Sequence, residues 1–374
     1  MDSIKLLDLL TSKGINFFTG VPDSLLKEFC GTIDRSIQKN HHLIAPNEGI
    51  AVAVAIGRHL AFGDIPFVYM QNSGFGNAFN PLIALAHKEV YRIPMLLMVG
   101  WRGEPGTSDE PQHMIQGRIT SDLFELMEIP YLEVRNETEL TSIASFIDLI
   151  DLSKSGPHAL LVTTGTFEEN VSETKCHSDR ELTRQEAIEI IVSSLPSNSI
   201  VVATTGKLSR ELTEIREKRG QEPNDFLVVG GMGHASGIAL GISIAQPDRL
   251  VVCLDGDGAL QMHLGVLAMI GARQPQNLLH VVFNNGTHES VGGQSVAAPE
   301  LDYANLANVF GYAFAATVQN ESELLQILKI AQSVVGPRLV DIKINSLSRS
   351  DLGRPKNSTF ETKVNFQNHI QRGQ

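Results

Sequence analysis

The sequence predicts an α/β protein built from two doubly wound parallel-sheet domains, and three observations support this. Short apolar runs rich in Val, Ile and Leu alternate with amphipathic segments along the chain. A polar stretch without periodicity, residues 167–182, interrupts the alternation. The length of 374 residues suffices for two ordinary domains. We expect domains at residues 1–166 and 183–374, with 167–182 as the linker.

The composition is typical of a globular protein with neither a nucleic-acid nor a membrane signature. Hydrophobic residues make up 42% and charged residues 19% of the chain. The net charge of −12, without a basic run, makes nucleic acids and anionic membranes poor partners. No apolar stretch reaches the ~20 residues that span a bilayer, and MDSIKLLDLL lacks signal-peptide features, so we expect a cytoplasmic protein. Cys30, Cys176 and Cys253 show no paired spacing, which favours neither disulfides nor a zinc or iron–sulfur site.

The elements of the first domain follow from apolar runs bounded by turn residues. Short β-branched runs predict strands, and apolar residues at helical spacing predict helices. The predicted strands cover residues 15–21, 43–45, 66–70, 95–100, 131–134 and 158–164. The predicted helices cover residues 4–10, 24–29, 48–63 and 80–88, with a further helix that ends at 151. Polar loops are expected at 71–77 and 101–113, and the length of the second indicates a functional role.

The second domain repeats the alternation. Its predicted helices cover residues 184–194, 209–217, 238–244, 259–272 and 322–334. Its predicted strands cover residues 200–203, 226–229, 250–254, 278–283 and 339–344. Residues 286–299, which contain Gly292 and Gly293, are expected to form a mobile lid, and the polar tail after residue 348 is expected to be loosely held.

One strand, helix, strand unit of this domain brings two oxygen ligands together. Gly256-Asp257-Gly258 follows the first strand, and Asn284-Asn285 ends the second. A right-handed crossover makes these strands parallel, so Asp257 and Asn285 emerge at the same sheet edge. Free N–H groups at a helix start bind anions, and Mg²⁺ combines few protein oxygens with phosphate oxygens. The unit predicts a diphosphate bound with magnesium, although GDG alone is also an ordinary strand-to-helix turn.

The order GDG, helix, apolar strand, Asn-Asn resembles the thiamine diphosphate motif of the thiamine-dependent decarboxylases and synthases. The resemblance implies thiamine diphosphate and Mg²⁺ as cofactors, with the metal held by Asp257, Asn285 and the carbonyl of Thr287. It makes residues 1–166 a pyrimidine-binding domain and 183–374 a diphosphate-binding domain. It also implies that Met232 props the cofactor into its bent shape. Further cofactor contacts are expected from Thr205, Gly206, Gly230, Gly256, Gly258 and Ala259.

Several of these positions have ordinary alternatives. Residues 204–207 lie between a strand and a helix like a phosphate-binding loop, but Val201 replaces the first glycine of that motif, so they can equally form a plain turn. Met232 can equally fill the core. Asn47 and Glu48 can be an N-cap and a first-turn acid. The resemblance implies instead that Glu48 hydrogen-bonds the aminopyrimidine ring and activates the cofactor.

The chain has no room for the middle domain of pyruvate decarboxylases and acetolactate synthases. Its two-domain plan resembles the phosphonopyruvate decarboxylases. The resemblance is carried by TGVPDSLLKEFC, NEGIAVAVAIG, VYMQNSGFGNA, WRGEPGTSDEPQH, TTGKLSREL and GGMGHASGIALG. It implies decarboxylation of 3-phosphonopyruvate to phosphonoacetaldehyde and CO₂, a step of phosphonate biosynthesis. The sulfopyruvate decarboxylases share the plan, and their reaction is the alternative.

A small 2-oxo acid with a second anionic group needs charge-assisted donors, and the arginine fork suits a phosphonate. We expect Arg102, Arg118 and His113 to bind that anion. Ser24 and Asn72 are expected to bind the carboxylate or the carbonyl. The two arginines can instead form surface ion pairs with acids of the 101–113 loop.

Proton transfer requires further groups. Glu48, His113 and His288 are the expected catalytic residues, since His288 directly follows the metal-binding loop. Asp23 or Ser24 can be the N-cap of the helix that follows. The alternative is a role in the site, because they lie in the loop after a strand's carboxyl end, where sites of such sheets are found.

The resemblance implies at least a homodimer, because in the family the glutamate and the diphosphate-binding domain of one active site come from different subunits. The helix at 48–63 is apolar on nearly every side and needs a core or an interface. Two other functions are open. A thiamine-dependent 2-oxo acid oxidoreductase subunit would need cysteine clusters for iron–sulfur ligation, and a nucleotide-binding module would not bind thiamine diphosphate.

Overall fold

The structure is a computed structural model that describes residues 1–169, 180–222, 224–347, 349, 351–353 and 356–372. The chain forms two compact units, Met1–Thr174 with His288–Ala297 and Lys175–Thr287 with Ala298–Gln374. Residues 170–179 of the expected linker, including Cys176, lie outside the described part, and the domain boundaries at 166 and 183 stay predictions. Within the described ranges, none of the helices combines the length and apolarity needed to cross a membrane.

The first unit contains a parallel sheet with helices on both faces. Its strands are β1 Phe18–Gly20, β2 His42–Ile44, β3 Phe67–Gln71, β4 Leu96–Gly100, β5 Tyr131–Val134 and β6 His158–Val162. Its helices are α1 Ser3–Ser12, α2 Lys27–Ser36, α3 Glu48–Phe62, α4 Phe75–Pro81, α5 Pro111–Leu126 and α6 Leu140–Ile147. A 3₁₀ turn, Asn72–Gly74, precedes α4, and a π turn, Leu82–Ala86, follows it. The sheet order is β2-β1-β3-β4-β6-β5.

The second unit has the same plan. Its strands are β7 Ile200–Ala203, β8 Phe226–Leu227, β9 Val251–Gly256, β10 Leu278–Asn284, β13 Phe314–Val318 and β14 Arg338–Lys343. Its helices are α7 Arg184–Ser194, α8 Lys207–Lys218, α9 Ala235–Ala245, α10 Asp257–Met262, α11 Val266–Arg273, α12 Tyr303–Val309, α13 Glu321–Ser333 and α14 Thr359–Arg372. The order β13-β14-β10-β9-β7-β8, read from its other end and renumbered from β7, repeats the order of the first sheet. The predicted duplication of one doubly wound α/β plan is confirmed.

Burial on both faces explains why the strands are continuous apolar runs rather than alternating ones. All residues of β4 and of β10 are buried. Each sheet has one apolar core cluster on either face, and the paired strands in both sheets are parallel. This arrangement sends the carboxyl ends of all strands of a sheet to one edge.

Residues 287–295 contain two short strands, β11 Thr287–His288 and β12 Gln294–Ser295, which form a small sheet of their own. A 3₁₀ turn, Glu289–Val291, lies between them. Gly292 and Gly293 both have positive φ, which permits the tight return of the chain. The mobility expected of a lid here stays a prediction.

Three predicted elements are wrong in extent. The helix expected at 259–272 is two helices, because the chain leaves helical geometry at His263, with φ −135° and ψ 48°, and resumes it after Gly265. The polar loop expected at 71–77 is helical from Asn72 onward. The tail expected to be loose contains α14, whose Phe366 is only 6% exposed and packs 5.3 Å from the ring of Phe226. α5, α12 and β13 are elements that the sequence patterns did not predict, and α5 begins at Pro111, within the loop expected at 101–113.

Candidate active site

In each sheet the strand order reverses between the first and third strands of the unit, which are β1 and β3 in one sheet and β7 and β9 in the other. Ligands of such sheets bind at this point, beyond the carboxyl ends of the strands. In the first unit the residues there follow β1 and β3, and they include Ser24 and Asn72. In the second unit they follow β7 and β9, and they include Thr205 and Asp257. The expected site residues therefore lie at the edge of each sheet where the fold places ligands.

The structure joins the two segments of the second unit that were predicted to form a metal-binding loop, and metal binding by this loop stays a prediction. The Asp257 carboxylate accepts hydrogen bonds from the backbone N–H of Gly258 at 2.8 Å and of Gly286 at 2.7 Å. The second bond joins the GDG turn to the loop after β10, since Gly286 directly follows Asn285. Burial raises the pKa of Asp257 to about 6, and the two backbone N–H groups only partly oppose this effect.

Asn285 and Thr287 complete the expected donor set. The Asn285 side-chain oxygen accepts a hydrogen bond from the Thr287 N–H at 2.9 Å, which folds the two residues into one turn. The Thr287 hydroxyl is buried and has no hydrogen-bond partner among the described residues. A buried carboxylate, an amide oxygen and a backbone carbonyl are hard oxygen donors, so these residues fit Mg²⁺.

Asp255 and Arg180 make hydrogen bonds at the strand ends beside this loop. Asp255, fully buried, accepts a hydrogen bond from the Gly256 N–H at 2.9 Å and lies 3.3 Å from Nε2 of the equally buried His280. The Arg180 guanidinium donates to the carbonyls of Asn284 at 2.6 Å and Ile344 at 3.1 Å, at the ends of β10 and β14. The ends of β9 and β10, which lead into the two segments around Asp257, are therefore both held by hydrogen bonds.

The expected diphosphate contacts lie at the start of α8. Gly206 is the N-cap of this helix and has φ 97°, which favours glycine. An added Cβ at Gly206 or Gly256 would meet no described atom within 4 Å, so both glycines border open space. Backbone N–H groups at the start of a helix with open space before them fit an anion such as a diphosphate.

The Gly230–Gly233 segment has a backbone that depends on its glycines. Gly230, Gly231 and Gly233 all have positive φ. An added Cβ at Gly233 would approach the carbonyl of Ala259 to 2.8 Å, so this segment packs directly on α10. Met232 is half-buried and lies outside the apolar core clusters, which removes the core-filler alternative. Its contact with a cofactor stays a prediction.

Glu48 is buried at the start of α3 in the first unit. Asn47 caps the helix by accepting a hydrogen bond from the Ile50 N–H at 2.9 Å, so the capping half of the ordinary alternative holds. Glu48 is only 4% exposed, and its carboxylate accepts a hydrogen bond from the Asn77 side chain at 2.8 Å. Burial raises the pKa of Glu48, against the opposing effect of Asn77. A solvated first-turn acid would not be buried in this way.

Gly74 makes room for this carboxyl group. A Cβ added at Gly74 would overlap Oε1 of Glu48, and one added at Gly49 would approach the Asn77 carbonyl to 2.7 Å. The helical start of the segment predicted as a loop thus positions both Gly74 and Asn77 against Glu48. Neither residue was singled out from the sequence, because the contact joins positions 26 to 29 residues apart.

Arg102 and His113 converge on one acid. Arg102 donates from Nε and Nη2 to the Asp109 carboxylate and from Nη1 to Ser24 at 2.9 Å. Nδ1 of His113 lies 3.1 Å from the same carboxylate. The ion pair foreseen as the alternative for Arg102 therefore exists, but it is partly buried rather than a solvated surface pair.

The other two expected substrate residues differ in their surroundings. Asn72 is buried, and its amide donates to the Arg102 carbonyl at 2.8 Å and to Thr120 at 3.0 Å. Both of its donors are thus used to fasten the loop. Arg118 is exposed on α5 and has no hydrogen bond or ion pair within the described part of the chain.

Of the two interpretations that the sequence left open for Asp23, the helix cap is wrong. α2 begins at Lys27 with Leu26 as N-cap and has no side-chain capping bond. Asp23 is instead fully buried and accepts a hydrogen bond from the Gln71 side chain at 2.5 Å. Burial raises the pKa of this carboxyl group, against the effects of Gln71 and Arg102. Its place directly after β1 is the position that favoured a site residue as the alternative, and a role in the site stays a prediction.

His288 follows the metal-binding loop in β11. Burial lowers the pKa of His288 to about 4, so the imidazole is neutral at pH 7. A neutral imidazole can accept a proton during turnover.

Comparisons with known proteins show which kind of domain each half of the chain contains. Residues 5–126 match the family model "Thiamine pyrophosphate enzyme, N-terminal TPP binding domain", and residues 204–342 match the corresponding C-terminal TPP binding domain. Both halves of the chain thus have the domains of a thiamine pyrophosphate enzyme.

Relatives that align over most of their length show which group of thiamine pyrophosphate enzymes is most similar to this chain. The phosphonopyruvate decarboxylase of Streptomyces viridochromogenes is 35% identical over 96% of this chain and 92% of its own. That of Streptomyces hygroscopicus is 33% identical over 96% and 91%. A sulfopyruvate decarboxylase of Methanosarcina acetivorans is 24% identical over 87% and 86%. The chain belongs to the phosphonopyruvate decarboxylase family of thiamine pyrophosphate enzymes.

Proposed function

We propose that the protein is a carbon–carbon lyase that decarboxylates 3-phosphonopyruvate to phosphonoacetaldehyde and CO₂ with thiamine diphosphate and Mg²⁺. The hydrogen bond from the Gly286 N–H to Asp257 is the main support for the proposed cofactors, because it joins the two halves of the predicted metal-binding motif in one loop. The full-length similarity to two phosphonopyruvate decarboxylases supports the choice of substrate.

Asp257, Asn285 and the Thr287 carbonyl are the residues that would hold Mg²⁺, and Thr205 and Gly206 would contact the diphosphate. When bound, thiamine diphosphate supplies the electron sink for the departing carboxylate. Glu48 is suited to share a proton with a ring nitrogen, because its buried carboxyl group has a raised pKa.

The first unit supplies groups for an anionic 2-oxo acid. Arg102 and Ser24 form a connected pair of donors beside His113. The buried carboxyl group of Asp23 lies at the same strand ends and can hold a proton there. We assign the substrate anion to Arg102 and Arg118, and proton transfer to His113 and His288. The working enzyme is a cytoplasmic homo-oligomer, at least a dimer.

Release of CO₂ should be measured in parallel from phosphonopyruvate, sulfopyruvate and pyruvate, with thiamine diphosphate and Mg²⁺ present. We expect phosphonopyruvate to give the highest kcat/KM. A preference for sulfopyruvate would favour the second candidate, which the Methanosarcina acetivorans relative supports. Absence of CO₂ from all three acids would contradict the proposed function.

Calorimetric titration with thiamine diphosphate, with and without Mg²⁺, tests the cofactor separately from turnover. We expect binding that requires Mg²⁺ and that Asp257→Asn weakens by at least about tenfold, since an amide replaces the charged ligand. The control is Asp64→Asn, an acid of the first unit that pairs with Arg58 at 2.6 Å. Equal affinity in all three proteins would remove Asp257 from the metal site.

A further inference from the structure

We propose that Asp109 is a positioning residue that fixes Arg102 and His113 in one arrangement, and the proposal rests on the proposed function. Asp109 lies in the irregular segment between β4 and α5. The family motif around Asp257 does not include it, and the sequence indicated only an ion pair between an acid of this loop and an arginine. Its contacts are more extensive than such a pair requires.

The carboxylate of Asp109 accepts five hydrogen bonds. Oδ2 accepts from Nε of Arg102 at 2.7 Å and from the Gly103 N–H at 3.0 Å. Oδ1 accepts from Nη2 of Arg102, from the Glu110 N–H at 2.8 Å and from His113 at 3.1 Å. Two backbone groups thus hold the acid in place while it holds two functional side chains.

The bidentate contact directs the guanidinium of Arg102. With Nε and Nη2 bound to Asp109, Nη1 points to Ser24 at 2.9 Å. The planar fork leaves the side chain little freedom to rotate once both bonds form. The N–H groups that remain on Arg102 therefore face one fixed direction, beside the hydroxyl of Ser24.

The same carboxylate selects the tautomer of His113. An ionised carboxylate can only accept, so Nδ1 of His113 must carry the proton in this contact. Burial alone would raise the pKa of Asp109, but hydrogen bonds from Arg102 and His113 hold it well below its usual value, so the acid stays ionised. When the imidazole carries only this proton, Nε2 of His113 is left as an acceptor, and it makes no hydrogen bond to the described residues.

The backbone around Asp109 is packed tightly enough to preserve this geometry. Gly103 has φ 69°, and a Cβ added there would overlap the carbonyl of His113. A Cβ added at Gly117 would overlap the carbonyl of Gly103. Trp101 donates from its indole to the Gly117 carbonyl at 2.8 Å. The loop and the first turns of α5 thus form one packed body that carries both Asp109 and His113.

Asp109→Asn tests the proposal, because an amide has a single acceptor oxygen. Its NH₂ group would face either the donors now bound at Oδ2, which are Nε of Arg102 and the Gly103 N–H, or the donors now bound at Oδ1. We expect kcat to fall about 100-fold or more and KM for phosphonopyruvate to rise, while the affinity for thiamine diphosphate with Mg²⁺ is unchanged. The ¹⁵N resonances of His113, assigned by their loss in His113→Gln, should show the Nδ1–H tautomer in the wild type and lose that preference in the variant. The matched control is Glu104→Gln, an acid of the same loop that pairs with Arg135 at 2.6 Å.

An Nε2–H tautomer of His113 in the wild-type protein would overturn the proposal, and this measurement does not require a variant to fold. Unchanged kcat and KM in a folded Asp109→Asn protein would also overturn it. Asp109→Glu retains the charge and should recover part of the lost kcat, whereas a purely structural role predicts no recovery. Wild-type protein that releases no CO₂ would contradict the proposed function, and the tautomer measurement would still decide the role of Asp109.

Discussion

Glu48 shows what a single functional carboxyl group costs the folded protein. It is buried at a helix start with one side-chain partner, Asn77, and burial raises its pKa above the ordinary value of 4.5. A buried acid with few hydrogen bonds destabilises the native state when it is ionised. Burial of Glu48 therefore lowers the stability of the folded protein when its carboxyl group is ionised.

Replacing Glu48 by Gln should stabilise the protein at neutral pH and abolish decarboxylation. With a raised pKa in the folded state, native Glu48 binds more protons than unfolded Glu48 from about 4.5 upward, so the free energy of unfolding falls as pH rises through the folded pKa. The variant lacks this loss and should be about 1–3 kcal/mol more stable at pH 8. Urea unfolding of both proteins between pH 4 and 8 measures the difference, which should vanish below the unfolded pKa. Equal stability at every pH would contradict the prediction.

Gly74→Ala should reduce kcat/KM by at least about tenfold with Mg²⁺ and cofactor saturating, because a 1 Å displacement of a catalytic group is enough for such losses. The added methyl group would occupy the space of Oε1 of Glu48. Gly76→Ala is the matched control, since a Cβ there meets no described atom within 4 Å and alanine gains about 1 kcal/mol over glycine inside a helix. Similar kinetics for the two variants would show that Glu48 does not depend on the space at Gly74.

At the scale of an element, α14 is a structural part of the second unit and not a loose tail. Arg249, at the start of β9, donates to the Ile370 carbonyl at 3.1 Å and to the Asn198 carbonyl at 2.8 Å. Phe366 packs on Phe226 of β8, the edge strand of the sheet. The helix thereby covers the end of the sheet that would otherwise expose apolar side chains.

Phe366→Ala should destabilise the protein by about 3 kcal/mol, the usual cost of removing a buried aromatic ring. Phe360→Ala is the control on the same helix, because Phe360 is 69% exposed and surface substitutions change stability by only about 0.5 kcal/mol. Thermal and urea unfolding of the two variants make the comparison. A loss of equal size at both positions would mean that α14 does not dock through Phe366.

At the scale of the whole molecule, α3 is the strongest indication of assembly. Its Ala51, Val52 and Ala55 are buried in the first unit, as the apolar pattern predicted. Ile50, Leu60 and Phe62 of the same helix remain exposed on the single chain, Leu60 to 71%. Exposed large apolar side chains on a helix that is otherwise packed in the core are candidates for a protein interface.

Leu60→Glu should weaken assembly and lower activity together, if the working enzyme is at least a dimer with α3 at its interface. A buried carboxylate without a partner typically costs several kcal/mol, which is sufficient to dissociate a dimer at micromolar concentration. Val335→Glu, 71% exposed in the second unit, is the control. Sedimentation velocity and kcat over a range of concentrations test this, and a fully active wild-type monomer would contradict it.

The sequence by itself determined the class of fold, most strand and helix positions and the metal-binding motif. Periodicity is a local property, so segments such as α7 and β7 were predicted with their observed bounds. The convergence of Asp257 and the loop after Asn285 also followed, because a crossover between parallel strands has one hand and sends both strand ends to the same edge. The position of Glu48 at the start of a helix also followed from the sequence, because Asn47 before it is a typical N-cap residue.

Tertiary structure decided which groups surround the catalytic candidates. Asn77 and Gly74 meet Glu48, and Asp109 joins Arg102 to His113, through the packing of helices on a sheet edge, which no local pattern encodes. The burial of Asp23 and the docking of α14 likewise depend on neighbours far away in the chain. Local periodicity fixes which residues form an element, whereas long-range packing fixes which side chains lose their water and therefore change their pKa.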